Sequence, residues 1–136
     1  KEKARAICKL AKVSSKDIVY ELGSGEGNTL IVAAKEFGAK GVGIEIDPLR
    51  FFLSTLLLYR NKVTDKVKIK RKNFFDEDLS KATVVFVYLV PKALNRLLPK
   101  FKKELKKGAR IVSLNYEIDL PLVAHDKKNN LRLYVV

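Results

Sequence analysis

The chain contains no methionine, tryptophan or glutamine, and its 136 residues include one cysteine and one histidine. A lone cysteine, Cys8, excludes an internal disulfide, and with His125 as the single histidine no Cys/His cluster has metal-ligand spacing. No apolar run approaches the roughly 20 residues a bilayer-crossing helix needs, and nothing resembles a signal peptide. A cytoplasmic protein without a metal site is the resulting expectation. A chain that opens at Lys1 without methionine also raises the expectation of a start segment before it. Missing glutamine beside abundant lysine is a bias of hyperthermophile proteins, so a thermophilic source is expected.

Apolar residues and positive charge are plentiful. The hydrophobic set makes up 47% of the chain, enough for residues 1–136 to form one domain with a buried core. The formal net charge of +13 raises the possibility of a nucleic-acid partner. The basic residues are spread, however, with Lys66, Lys68, Lys70, Arg71 and Lys72 on one stretch and Lys100, Lys102, Lys103, Lys106 and Lys107 on another. Val67 and Ile69 alternate with Lys68 and Lys70, the pattern of a strand with one wet face. No aromatic residue interleaves with these runs as a base-stacking platform would. Solvated faces are the favoured reading of the lysines, with a nucleic-acid partner as the alternative.

Helical and strand periods alternate along the chain. Ala4, Ile7, Cys8 and Ala11 lie on one face of a helix over residues 1–11, and a strand follows over Asp17 to Leu22. A helix runs from Asn28, its N-cap, to a C-terminal glycine at Gly38. A strand begins near Gly41, and Pro48 opens a third helix to about Tyr59. Strands are predicted at Lys66 to Lys72 and at Thr83 to Leu89, the latter apolar throughout and hence buried on both faces. Pro91 opens a helix that Pro99 is expected to kink and Gly108 to end, before a strand over 109–114. Leu122 to His125 and Leu131 to Val136 flank the turn-forming DKKNN, which predicts a hairpin. This rhythm predicts an α/β, doubly wound, mostly parallel Rossmann-like sheet with a C-terminal antiparallel hairpin. The third helix is apolar all round, with Leu53 and Leu56 on one side and Phe51 and Leu58 on the other, so residues 48–59 are expected to meet a second neighbour, either another copy of the chain in a homo-oligomer or a segment outside this sequence.

The stretch VYELGSGEGN, Val19 to Asn28, joins a buried strand to a helix through a glycine turn free to take positive φ. Such a turn aims free N–H groups at whatever sits above the strand's end. The dinucleotide fingerprint G-x-G-x-x-G is not met, because Asn28 stands where its third glycine belongs. Glu21, an acid two positions before the first glycine, would repel a pyrophosphate and suits a cation or an α-amino group. About 20 residues further on, KGVGIEID reads as a second buried strand ending in acids, Glu45 among them, as a nucleotide-binding βαβ unit requires. Its two oxygens would accept the 2′- and 3′-hydroxyl protons of a ribose.

The glycine turn and this second strand resemble motif I and its successor in the class I, seven-strand S-adenosylmethionine-dependent methyltransferases. The resemblance implies S-adenosylmethionine as cofactor, held by Glu21, Gly23, Ser24, Gly25, Asn28, Glu45, Ile46, Asn73 and Phe74. It places the adenine at Asn73-Phe74-Phe75-Asp76, with Phe74 or Phe75 over the base. Most members carry Asp where Asn73 stands, but the amide carbonyl can also accept the adenine N–H. The stretches ELGSGEGN, GIEID, NFFDEDL, TVVFVYLVP and GARIVS together resemble compact archaeal and mitochondrial protein-lysine methyltransferases. That implies a protein acceptor. An RNA or small-molecule methyltransferase, or a non-catalytic nucleic-acid-binding module on this fold, is the alternative. The Asn/Asp-Pro-Pro-aromatic motif of adenine and glutamine methyltransferases is absent at YLVP, Tyr88 to Pro91; Cys8, on the first helix, is read as core, and His125, in the hairpin, as structural. Tyr88 is a candidate to line the acceptor pocket, and no catalytic side chain is assigned.

Overall fold

The structure, a computed structural model, describes residues 1–23 and 27–136. In chain order the elements are α1 (Glu2–Leu10), β1 (Ile18–Leu22), α2 (Asn28–Phe37), β2 (Lys40–Ile44), α3 (Pro48–Arg60) and β3 (Val67–Lys70). A one-turn 3-10 helix (Phe74–Asp76) precedes β4 (Val84–Val87), α4 (Pro91–Glu104), β5 (Arg110–Leu114), β6 (Leu122–Asp126) and β7 (Leu131–Val135). Among the described residues the strands form one sheet in the order β3-β2-β1-β4-β5-β7-β6. The first five are parallel to their neighbours, while β7 runs antiparallel to both β5 and β6. The mostly parallel sheet and the terminal hairpin therefore stand as the sequence predicts.

Alternation along each strand explains the two cores. Val19 of β1, Val84 and Phe86 of β4 and Val112 of β5 point toward α1 and α2, where Ile7, Cys8, Leu30 and Ala33 meet them. Tyr20, Val85, Val87 and Ile111 point the other way, against Leu94, Leu97 and Phe101 of α4. Every residue of β4 is buried, which is why its sequence shows no alternation of polarity. Cys8 is 1% exposed, and burial pushes its thiol up to about 12. No helix is long and apolar enough to cross a membrane, among the described residues.

Several boundaries differ from the sequence expectation. The N-cap of α2 is Gly27, not Asn28: the Gly27 carbonyl accepts the Ile31 N–H at 3.0 Å, so the first turn begins one residue earlier. In α4 the helix continues through Pro99 and stops at Glu104, because Leu105 turns extended; Gly108, at φ +91°, shapes the following turn instead. Around α3 the two-sided apolar pattern is real. Ser54 and Leu58 are buried and Phe51 half-buried, while Leu49, Phe52, Leu53, Leu56 and Tyr59 are between 44% and 67% exposed.

One polar knot ties the amino ends of the sheet together. Asp17, 6% exposed, accepts hydrogen bonds from the Ser14 N–H (2.8 Å) and the Thr83 hydroxyl (2.8 Å) and pairs with the Arg110 guanidinium. Thr83 in turn accepts the Ile18 N–H at 2.9 Å, and Arg110 donates to the Ala11 carbonyl at 2.6 Å. Removing one partner of a buried ion pair strands the other, so Asp17→Ala is expected to lower the unfolding free energy by on the order of 3 kcal/mol. Urea denaturation checks this. Arg5→Ala, which breaks the exposed Arg5–Glu36 pair, is the control and should leave the midpoint nearly unmoved.

Candidate active site

The register of the parallel strands brings three chain exits side by side. Leu22 lies level with Ile44 of β2 and Val87 of β4, so the segments after β1, β2 and β4 leave from one edge. The strand order reverses between β1 and β4, and in such sheets ligands bind in the crevice outside the carboxyl ends at that point.

Glu21, one residue before the end of β1, is 7% exposed, and its Oε1 has no hydrogen-bond partner among the described residues. Burial first, and the Glu45 charge second, push its carboxyl well above the ordinary carboxylate range. Gly23 follows at φ +74° and donates its N–H to the Ile44 carbonyl at 2.9 Å. A Cβ there would be strained by φ and would lie 3.9 Å from Leu89 Cδ2. Ser24 and Gly25 lie outside the described residues. Asn28 is the first residue of α2 and is exposed.

Glu45 follows β2 directly and is 6% exposed. Its N–H reaches the Lys70 carbonyl at 3.0 Å, and its Oε2 accepts the Asp47 N–H at 3.1 Å, which fixes the carboxylate where the chain turns into α3. Ile46 beside it is 61% exposed. Asn73 caps the 3-10 turn by accepting the Phe75 N–H on Oδ1 at 3.0 Å, which leaves that oxygen a second lone pair. The Phe74 and Phe75 rings sit 4.8 Å apart at 49°. Arg96 of α4 lies 4.1 Å over the Phe75 ring, so of the two candidates Phe75 already has a cation on one face.

On the other side of the exits Tyr88 meets two residues that the sequence alone does not single out, Asn115 and Tyr116. Tyr88, the first residue after β4, is 57% exposed, and its ring lies 6.5 Å from that of Tyr116. Asn115 lies next to Tyr116 at φ +70° and donates to the Tyr88 hydroxyl at 3.3 Å. An asparagine directly after a buried strand was the available signal, because Asn tolerates the left-handed region. His125 lies in β6 at the sheet's far edge, away from these exits, and its Nε2 is buried without a partner among the described residues. Among the described residues no group of His, Cys, Asp or Glu is arranged to hold a metal ion.

The arrangement fits S-adenosylmethionine. An orphaned buried carboxylate oxygen suits an α-ammonium group, a glycine exit gives it room, and a second carboxylate on the next strand suits ribose hydroxyls.

Comparison with known proteins agrees. The family model of the ANTKMT methyltransferase domain matches residues 21–121. A protein-lysine N-methyltransferase of Saccharolobus islandicus is 44% identical over 84% of this chain, which spans 71% of that protein. The adenine nucleotide translocase lysine N-methyltransferase of Mus musculus is 34% identical over 70% of this chain, which spans 42% of it. Among solved structures, an RNA methyltransferase of Salinibacter ruber in complex with S-adenosyl-L-homocysteine superposes with a TM-score of 0.91 and 32% identity, over 99% of this chain and 90% of that one.

The raised carboxyl of Glu21 has a stability consequence with a defined sign. A carboxyl raised in the folded state favours folding while protonated and opposes it as pH rises through the raised value. Glu21→Gln removes the ionisation and is expected to raise the melting temperature of the ligand-free protein at pH 8. That gain should vanish toward about pH 4, where the unfolded chain's carboxyl also holds its proton. Thermal melts across this range measure it.

Proposed function

The chain belongs to the ANTKMT methyltransferase domain family and is an S-adenosylmethionine-dependent methyltransferase, and from that premise we propose that its acceptors are lysine side chains of proteins. The observation that carries this reading is the 44% identity to the Saccharolobus islandicus protein-lysine N-methyltransferase, across most of both chains. An RNA acceptor is the second reading, supported by the net charge of +13 and by the likeness to the Salinibacter ruber RNA methyltransferase.

The cofactor contacts are part of the proposal. Glu21 accepts from the α-ammonium group, whose positive charge favours the ionised carboxylate that burial alone disfavours. Glu45 would hold the ribose hydroxyls, Asn73 Oδ1 the adenine amine, and Phe74 would cover the base. Gly23, Ser24, Gly25, Asn28 and Ile46 complete the contact set. When bound, S-adenosylmethionine supplies a methyl group on a sulfonium that is already a good leaving group. The remaining work of the chain is placement: an acceptor amine held in line with the methyl gains most of the rate from orientation alone. A lysine must arrive without its proton, which passes to water as the amine is desolvated beside a positive charge. No side chain at the exits is required to act as a base.

Losing two hydroxyl hydrogen bonds to a carboxylate corresponds to about a hundredfold in affinity, so Glu45→Ala is expected to weaken cofactor binding by that factor or more in calorimetry. Tritiated cofactor with a mixed protein extract and with RNA in parallel tests the acceptor. Label on protein lysines, lost in Glu45→Ala, is the expected result, and label confined to RNA would replace the first reading by the second.

The exposed apolar face of α3 supports a homo-oligomer formed through residues 48–59. Gel filtration is expected to give a species larger than the monomer, reduced to monomer by Phe52→Glu with Leu56→Glu.

A further inference from the structure

Two tyrosines stand together beyond the carboxyl ends of β4 and β5. Their rings are nearly parallel, 19° apart, with centroids 6.5 Å from one another. Rings at this spacing and angle are offset-stacked, with Tyr88 57% exposed and Tyr116 half-buried against the core on the α4 side. Both are held from behind. The Asn115 Nδ2 donates to the Tyr88 hydroxyl at 3.3 Å, and Asn115 is itself tied down at 2.9 Å by the Asn130 side chain and again at 2.9 Å by the Asn130 backbone carbonyl. Arg132 donates to the Asn115 carbonyl at 3.2 Å. On the other side the hydroxyl of Ser113, fully buried, donates to the Tyr116 carbonyl at 2.6 Å. Leu89, next to Tyr88 in the chain, is the side chain that a Cβ on Gly23 would meet, at 3.9 Å. A tyrosine 57% exposed contributes little to the core, yet this one is anchored through neighbouring strands. Such support behind an exposed ring is what a binding group needs.

We propose that Tyr88 and Tyr116 are the seat for the acceptor's side-chain cation: their ring faces receive the methylene stem and ammonium group of a lysine, before and after methylation. The proposal rests on the protein-lysine reading and deepens it by naming the residues that select the acceptor. The chemistry favours rings over acids here. A carboxylate against the acceptor would stabilise its ammonium form and oppose loss of the proton. Aromatic faces also favour the cation, at about tenfold per ring, but less than a desolvated carboxylate would, and they leave room for the bulkier methylated cations. The two rings are positioning groups for the acceptor and leave the cofactor contacts alone.

The test titrates the full chain, loaded with S-adenosyl-L-homocysteine, with Nα-acetyl-trimethyllysine methylamide and, separately, with its neutral isostere built on norleucine, read by NMR of the tyrosine ring protons. The Tyr88 and Tyr116 signals are expected to shift with the cationic probe and to stay in place with norleucine. Tyr88→Ala and Tyr116→Ala are each expected to weaken the probe about tenfold, while Tyr88→Phe and Tyr116→Phe, which keep the ring faces, remain within about twofold of the parent. In methyl transfer to protein lysines the alanine variants should raise the acceptor KM about tenfold, with kcat and the calorimetric cofactor affinity little changed. Equal shifts with norleucine, shifts with a single-stranded oligonucleotide in place of the ammonium probe, or an unaltered acceptor KM in both alanine variants would overturn the proposal. Absence of lysine transfer by the parent protein would instead sink the protein-lysine reading, and the probe titration would still decide whether the rings seat a cation. The phenylalanine variants keep the test valid should an alanine variant fail to fold.

Discussion

The parallel register of β1 with β2 and with β4 is the constraint on which the rest of the molecule depends. Because Leu22, Ile44 and Val87 lie level, the chain leaves three neighbouring strands at one edge, where Glu21, Glu45 and Tyr88 stand; Asn73 and Phe74 follow β3 and Tyr116 follows β5. Sliding one strand by a residue would turn Glu21 toward the α4 face and Leu22 toward α1 and α2. The apolar residues that flank Glu21 on both sides forbid it. Hydrophobic burial thus holds a polar site in place without any polar residue having to choose the register.

The buried acids of this sheet are treated in opposite ways. At the amino ends Asp17 is surrounded by donors: a backbone N–H, a hydroxyl and a guanidinium. Glu77, near the end of β3, is 3% exposed and lies within 3.1 Å of both Lys70 and Lys72; burial pushes its carboxyl up, but those lysines outweigh it and leave it below the ordinary range. Glu21 receives no such compensation at Oε1 from the described residues, and an acid lies nearby instead of a base. Such an imbalance in a crevice is what a cationic ligand group would correct, and it makes Glu21 a functional-site candidate alongside the shape of the exits.

Much of this was legible in the sequence because it was carried by period and punctuation. The continuous apolarity of β4, the alternation of Val67 and Ile69 with lysine in β3, and the DKKNN turn each correspond to one physical requirement and placed their elements correctly. Gly23, Gly27 and the strand-end acids Glu21 and Glu45 likewise ended up at the exits. What escaped was set by tertiary context. Asn28 is a good N-cap by type, but Gly27 reaches a left-handed backbone more easily and takes the position. Gly108 is a good helix stop by type, yet Leu105 turns extended first and α4 ends at Glu104. Arg96 over Phe75 and Tyr116 beside Tyr88 unite residues from separate elements, and no local pattern announces such a meeting.

Cys8 adds a consequence of a different kind. With its thiol buried under α1 and raised to about 12, only roughly one molecule in 100,000 carries a thiolate at neutral pH. Oxidants, alkylating reagents and maleimide dyes therefore find almost nothing to attack on the native protein. Any cysteine introduced at the surface becomes the sole reactive handle, and unmasking of Cys8 itself becomes a chemical clock for the opening of the core.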